Sequence, residues 1–357
     1  MSLLDRASTV FSRVTGSMRK RWGRWLVAAA LLIAGGNFFF GTGDLPFVRS
    51  PITTSETPWE IAIYEGPSLL EMTPQSAEYK PIFKREDVTG EDVDFVADPF
   101  WIEKDNVNYL FFEYLNNKNQ QGDLGVARSD DGKTWKYVGT ILDEPFHLSY
   151  PQVFEHGGTY YMLPESAESN ELRLYKAEEF PLKWSFVGKL MDGKFWDTSI
   201  VRYQNRWWLF ALTDLKGRLD VFYADDLMGP WRPHPANPIV KDDLNISRPG
   251  GRVLVEGDHV YRMAQDDDPA YGISIRMFDI IALTPEKYEE QEVSPSPILG
   301  GDRNWFIEDR IHQLDARKLP NGRWIGVVDR YEVHRKLRFP IGPSDGPTSQ
   351  PEQQPAG

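Results

Sequence analysis

The stretch DPFWIEKDNVNYLFFEYL, Asp98 to Leu115, decides the fold. It sets an acid before an apolar run, a Lys104-Asp105-Asn106 turn, and a Tyr/Leu/Phe strand that ends near Glu113, the pattern of a short antiparallel hairpin. The pattern returns as YPQVFEHGGTYYMLPES from Tyr150, DTSIVRYQNRWWLFAL from Asp197, RPGGRVLVEGDHVYRMAQD from Arg248 and HQLDARKLPNGRWIGVVD from His312. Successive starts lie 52, 47, 51 and 64 residues apart. A degenerate repeat of about fifty residues is the signature of propeller blades, so five copies predict an all-β, five-bladed β-propeller.

The second half of each blade repeats as well. A β run, an acidic or prolyl turn and a tryptophan recur around Trp135, Trp184 and Trp231, whose matching places read as blade packing. Asp130-Asp131-Gly132 is the strongest turn signal. Blade four lacks the tryptophan and is the atypical one. WEIAIYEG, Trp59 to Gly66, alternates as a lone strand ahead of the first blade. Joined to the last blade it would close the ring and leave no unpaired edge.

The expected organisation is a basic cytoplasmic segment 1–24, a membrane anchor 25–40, a linker 41–58, the propeller 59–339 and a disordered tail 340–357. Arg6, Arg13, Arg19, Lys20, Arg21 and Arg24 precede the apolar run Trp25–Phe40, which reads as a signal anchor with its basic end inside, or as a cleaved secretory signal. Either puts the propeller on the periplasmic or extracellular side of the cytoplasmic membrane. The first fifty residues hold seven Lys or Arg against two Asp or Glu, which leaves 33 basic and 51 acidic side chains for the rest. So acidic a body repels phosphate backbones and argues against a nucleic-acid partner. The chain has no cysteine, which excludes disulfides and thiol chemistry.

Inner propeller strands converge on the axis, so the residues that open each repeat should meet at one mouth: Asp98, Ser149 with Tyr150, Asp197, Arg248, and His312 with Asp315. The returning strands bring back Glu113, Glu165, Thr213 with Asp214, Gln265 with Asp266, and Asp329. Glycosyl hydrolysis or transfer needs two carboxyls facing each other across a sugar, and Asp98 and Glu165 are the expected pair. Asp197 is assigned to charge control, and Tyr150, Arg248, Gln265, His312 and Asp315 to substrate binding. Arg248 offers a bidentate fork to a hydroxyl pair or an anionic group. Set against this, an Asp at a strand start also serves merely to cap a turn, and Arg248 merely to neutralise it. No cofactor or metal is called for, although a cation near His312 has a place. Asp266-Asp267-Asp268 reads as a solvated turn. Trp207 and Trp208 point to opposite faces of one strand, so at most one meets a ligand.

Together the motifs ADPF, YPQVFEHGGTYYMLPES, ELRLYKAEEFP, DTSIVRYQNRWWLF, RPGGRVLVEGDHVYRMAQD and HQLDA resemble the N-terminal domain of glucosamine inositolphosphorylceramide transferases and its bacterial relatives. That domain in turn is similar to the five-bladed propeller of family 43 and family 32 glycoside hydrolases. The resemblance implies that Asp98 matches the blade-one base of family 43, and that Asp197 matches its charge-modulating aspartate. It implies no acid, because the only EGP, Glu65-Gly66-Pro67, precedes blade one; Glu165 is placed there by geometry. The functional expectation is a membrane-tethered carbohydrate-active propeller that acts on or binds an envelope glycan or glycolipid head group. The alternative is a non-catalytic binding or scaffolding module that partners a separate glycosyltransferase.

Overall fold

The computed structural model describes residues 52–75, 80–300 and 307–337. Among them, five antiparallel sheets follow one another along the chain. Blade one is Val93–Lys104, Val107–Asn116, Gln121–Ser129 and Lys136–Leu142, in that order from the axis outwards. Blades two and three repeat it from Ser149–His156 and from Trp196–Tyr203. The last blade is assembled from both ends of the chain. Leu314–Lys318 pairs with Trp324–Leu337, which pairs in turn with the N-terminal strand Ile52–Gly66. That strand starts seven residues ahead of the expected Trp59 and takes in part of the expected linker. Pairing in the sheet has overridden a loop-like Thr/Ser/Pro composition. The propeller is the compact unit Glu56–Val333.

The inner hairpins turn on two residues, as the spacing requires. Asp105 and Asn106 have φ of 52° and 60°, Gly157 and Gly158 60° and 77°, and Gln204 and Asn205 50° and 61°. Two left-handed central residues match the twist of the flanking strands. Blade four departs from the plan at its start. Arg248 to Val253 makes only an isolated bridge, Pro249 to Ala264, and the inner strand shrinks to Leu254–Glu256. Pro249 cannot donate to a ladder, and Gly251 is pressed onto the next blade. An additional strand, Leu299–Gly300, pairs on Ser274–Leu283.

The core is a ring of interfaces between neighbouring sheets. Phe100, Phe111 and Val153 join blades one and two. Leu163, Leu209 and Trp207 join two and three. Trp208, Phe210 and Ile280 join three and four, Met263, Ile275 and Leu314 four and five, and Ile61, Leu110 and Val327 five and one. Trp207 and Trp208 are both buried, on opposite sides of their strand, so neither meets a ligand. Trp135 packs edge-on against Trp101, and Trp184 against Phe111. Each large apolar side chain so buried contributes about 1.5–3 kcal/mol, so the ring is held around its whole circumference.

The apolar run 25–40 and the tail 340–357 lie outside the described residues. Among the described residues no helix is long and apolar enough to cross a membrane.

A Cβ on Gly251 would stand 1.9 Å from the Leu314 carbonyl oxygen, at a φ of +137°. Backbone cannot yield as a side-chain tip does. Gly251→Ala should therefore lower stability by about 3 kcal/mol, read as a lower urea midpoint; an unchanged midpoint would show that blades four and five do not meet so closely.

Candidate functional site

Three repeat-opening residues share an unusual backbone. Asp98, Tyr150 and Asp197 have φ of 53°, 47° and 46°, and each lies where the register of its inner hairpin shifts by a bulge. Such conformations cost about 1–3 kcal/mol each and persist only where surrounding contacts enforce them. Those contacts are carboxylates from the preceding blade. The Asp98 N–H donates to Asp329 Oδ2 at 3.0 Å, the Tyr150 N–H to Asp98 Oδ2 at 3.0 Å, and the Asp197 N–H to Glu165 Oε2 at 3.2 Å.

Asp98 and Glu165 face a cavity of about 200 Å³ that is also lined by Glu113, Arg248 and His312, among others. Glu113 and Glu165 are buried and their carboxyls are pushed well above the ordinary range. For Glu113 burial comes first, followed by the charges of Asp98 and Glu165. For Glu165 burial again leads, followed by Asp197, with Arg248 opposing. Burial also lifts Asp98, to about 7, although His312 opposes it. Asp197 goes the other way. Burial would raise it, but the Arg248 Nε at 2.5 Å outweighs burial and holds it low. Burial disfavours the imidazolium of His312, yet Asp329, 2.5 Å from its Nδ1, and Asp98, 3.6 Å from its Nε2, raise its pKa to about 9. The mouth thus holds two ion pairs, Arg248 with Asp197 and His312 with Asp329, two acids pushed toward the protonated form, and Asp98, raised to about 7.

His147 extends the cluster. Its Nδ1 accepts the Gly122 N–H at 3.0 Å, so the neutral ring carries its proton on Nε2, 3.3 Å from Glu113 Oε1. Burial lowers its pKa, with Glu168 opposing, which favours that neutral form. A Cβ on Gly122 would stand 2.7 Å from both Glu113 Oε1 and His147 Cε1, so only glycine leaves them room.

The structure thus gathers Asp98, Glu165, Arg248 and His312 around one cavity, with Asp197 directly behind Arg248. Three expected binding residues lie elsewhere. Gln265 is fully buried and donates to Asp197 Oδ2 at 2.5 Å and to the Pro249 carbonyl at 2.8 Å, so it orients Asp197. Tyr150 plugs the axis. Its hydroxyl accepts the Gly251 N–H at 2.6 Å and pairs with Ser199 Oγ at 2.8 Å, while Ser199 Oγ donates to the Gly251 carbonyl. Asp315 sits at the other end of the axis, because one residue step along an inner strand changes face and two or three change depth. There it accepts the Trp101 N–H at 2.7 Å and pairs with Arg252 beside a larger cavity of about 690 Å³. The clustered acids are at the smaller one.

Asp98, His312 and Asp329 also offer three ligand atoms within 4.8 Å of one another. His312, raised to about 9, holds its proton there at neutral pH, so a cation would have to displace that proton to take the imidazole as a ligand.

A family model described as "Glucosamine inositolphosphorylceramide transferase 1, N-terminal" matches residues 53–330. The chain belongs to that family. It is 36% identical over 339 residues to glucosamine inositolphosphorylceramide transferase 1 of Oryza sativa subsp. japonica, a match that covers 85% of this chain and 45% of that protein. With the Arabidopsis thaliana protein of the same name it is 38% identical over 245 residues, covering 66% and 32%. The chain therefore spans less than half the length of these relatives. Among solved structures it is similar to a thermostable family-43 glycoside hydrolase, with a TM-score of 0.54 at 14% identity over 72% of this chain and 95% of that one. It is also similar to an exo-β-1,3-galactanase from Clostridium thermocellum, with a TM-score of 0.53 at 12% identity over 68% and 60%. At such identities the likeness is one of fold.

Sequence reasoning missed Trp59, His147 and Tyr271, which also line the cavity. Trp59 lies within the closing strand and stacks on His312 at 4.4 Å. The acidic turn at 266–268 is not simply solvated, since Asp267 accepts the Gly272 N–H at 2.8 Å and burial raises its carboxyl pKa.

The titrations set a pH profile. Asp98 takes its proton near pH 7 when folded and near 3.8 when unfolded, so the folded state binds more protons between, and stability from this group falls as pH rises through that window. His312 stabilises fully below pH 6.5 and loses that contribution as pH rises through about 9. Asp197 contributes stability above pH 3.8 that is lost in acid. Denaturation of Asp98→Asn should give a flatter stability profile than wild type between pH 4 and 7; equal slopes would refute the assignment to Asp98.

Proposed function

We propose that the cavity is a carbohydrate site that takes the terminal sugar of a glycan or glycolipid head group and acts on its glycosidic bond. The observation that carries this reading is that Asp98 and Glu165 line one small cavity in different company, where His312 draws Asp98 toward its charged form and Asp197 draws Glu165 toward its protonated one. Pairs of carboxyls whose environments push them apart are how acid and base roles are divided. Glu165, whose carboxyl is pushed upward by burial and by Asp197, gives its proton to the leaving oxygen as the bond to the anomeric carbon breaks. Asp98, ionised, takes the proton of the water or acceptor hydroxyl that forms the new bond. Asp197 stays charged beside Arg248 and steadies Glu165 in its protonated form. A cavity below the range of about 300–1,000 Å³ that is usual for drug-sized ligands fits a single ring.

The proposal extends to location. The basic segment and the apolar run 25–40 support a single-pass tether in the cytoplasmic membrane with the propeller outside, where head groups are within reach. A second reading is a binding module that presents substrate to a separate glycosyltransferase. It is favoured by the relatives, more than half of whose length lies outside the match.

Asp98→Asn and Glu165→Gln separate the two. On a panel of activated aryl glycosides, each should reduce turnover at least about a hundredfold while glycan binding by calorimetry persists. Wild-type protein that binds but turns over nothing would leave the binding module standing and end the catalytic reading.

A further inference from the structure

One side chain at the cavity mouth is unused by the acid cluster. Tyr271 lies on the short loop between the second and third strands of blade four, His259–Asp266 and Ser274–Leu283, and lines the cavity while leaving 40% of its surface exposed. Its ring is placed by three neighbours. The Arg248 guanidinium carbon sits 5.1 Å from the ring centroid. Trp59 and His312 meet it nearly at right angles, at 6.2 and 5.0 Å.

The loop is fixed rather than draped. The Gly272 N–H donates to Asp267 Oδ1 at 2.8 Å, the Ile273 N–H to the Asp266 carbonyl at 2.9 Å, and the Asp267 N–H to the Leu244 carbonyl at 3.1 Å. At Gly272, with φ of +66°, a Cβ would stand 2.8 Å from His312 Cβ and 3.0 Å from the Trp59 ring. The loop therefore packs directly on both and holds Tyr271 in one place.

The ring's partners leave part of it open. Arg248 lies over the ring centroid, Trp59 and His312 stand nearly perpendicular to the ring, and 40% of the residue's surface remains exposed beside the cavity.

We propose that Tyr271 is a specificity-determining binding residue: its ring stacks on the C–H face of a second sugar ring, joined to the one held among Asp98, Glu113 and Glu165. The inference rests on the carbohydrate reading above and narrows it, since it makes the ligand at least a disaccharide unit. The cavity holds one ring, and the rim supplies a rigid aromatic face for the next. Because the loop is already ordered, stacking there requires little further immobilisation.

The experiment is calorimetric titration of the full chain with methyl hexopyranosides and with the matching thio-linked disaccharides, which resist cleavage. Tyr271→Ala should weaken disaccharide binding about tenfold, the scale of one aromatic contact, and leave monosaccharide binding within about twofold. Tyr271→Phe, which keeps the ring, should bind the disaccharide nearly as wild type does. If Tyr271→Ala does not fold, Tyr271→Leu keeps bulk without a ring face and carries the same comparison. Equal weakening of both ligands, no weakening of either, or a loss in Tyr271→Phe as large as in Tyr271→Ala overturns the proposal alone. Wild-type protein that binds no member of the series overturns the proposal together with the reading beneath it.

Discussion

The mouth of this propeller depends on a backbone N–H reaching across a blade boundary to a carboxylate. Asp98, Tyr150 and Asp197 each donate to an acid of the preceding blade, Asp329, Asp98 and Glu165. The acids thus pin the left-handed bulges, and the bulges aim the next side chain at the axis. A buried N–H without a partner costs about as much as a lost hydrogen bond, roughly 1–3 kcal/mol, so the carboxylates are required before any chemistry is asked of them. The relay crosses the closure too, since Asp329 comes from the last blade and Asp98 from the first.

Crowding so many carboxyls has a consequence that the charge count does not show. If all were ionised, repulsion and desolvation would exceed what Arg248 and His312 can offset. Two ion pairs form, and the remaining acids are pushed toward the protonated form. A network raised in this way is common at functional sites but also occurs in structural ones. The neutral His147, tied at Nδ1 to Gly122, is therefore informative: it meets Glu113, whose carboxyl is pushed toward the protonated form, and adds no charge to it.

The ring and its blade count were legible because they rest on period and turn chemistry. The Asp105-Asn106, Gly157-Gly158 and Gln204-Asn205 turns need left-handed residues, and the chain supplies residue types that tolerate them. Convergence of Asp98, Glu165, Arg248 and His312 followed from strand direction alone. What failed was depth along the axis. Asp315 is three residues past His312, which carries it to the far cavity, and Gln265 and Tyr150 turn inward because Asp197 and Gly251 need partners there. Trp59 and Tyr271 were hidden for another reason. They come from the closing strand and from a loop, neither of which repeats, and periodicity sees only what repeats.

Accounting for carboxylate oxygens separates scaffold from chemistry more sharply than burial does. Asp329 is saturated: Oδ2 accepts the Asp98 N–H and faces His312 Nδ1, while Oδ1 accepts the N–H groups of His312 and Gln313. It has nothing left for a ligand. Asp197 commits Oδ2 to both Arg248 and Gln265, which fixes its charge and its rotamer. Asp98 gives Oδ2 to the Tyr150 N–H and leaves Oδ1 facing His312 Nε2 at 3.6 Å, too long for a hydrogen bond. Glu165 gives Oε2 to the Asp197 N–H, and its other oxygen has no backbone partner. Those two carboxyls are each anchored by one oxygen at the wall of one cavity. A carboxyl anchored by one backbone N–H and hydrogen-bonded through its side chain to a second acid, as Asp98 is to Glu113 and Glu165 to Asp197, is held in position and still able to exchange a proton.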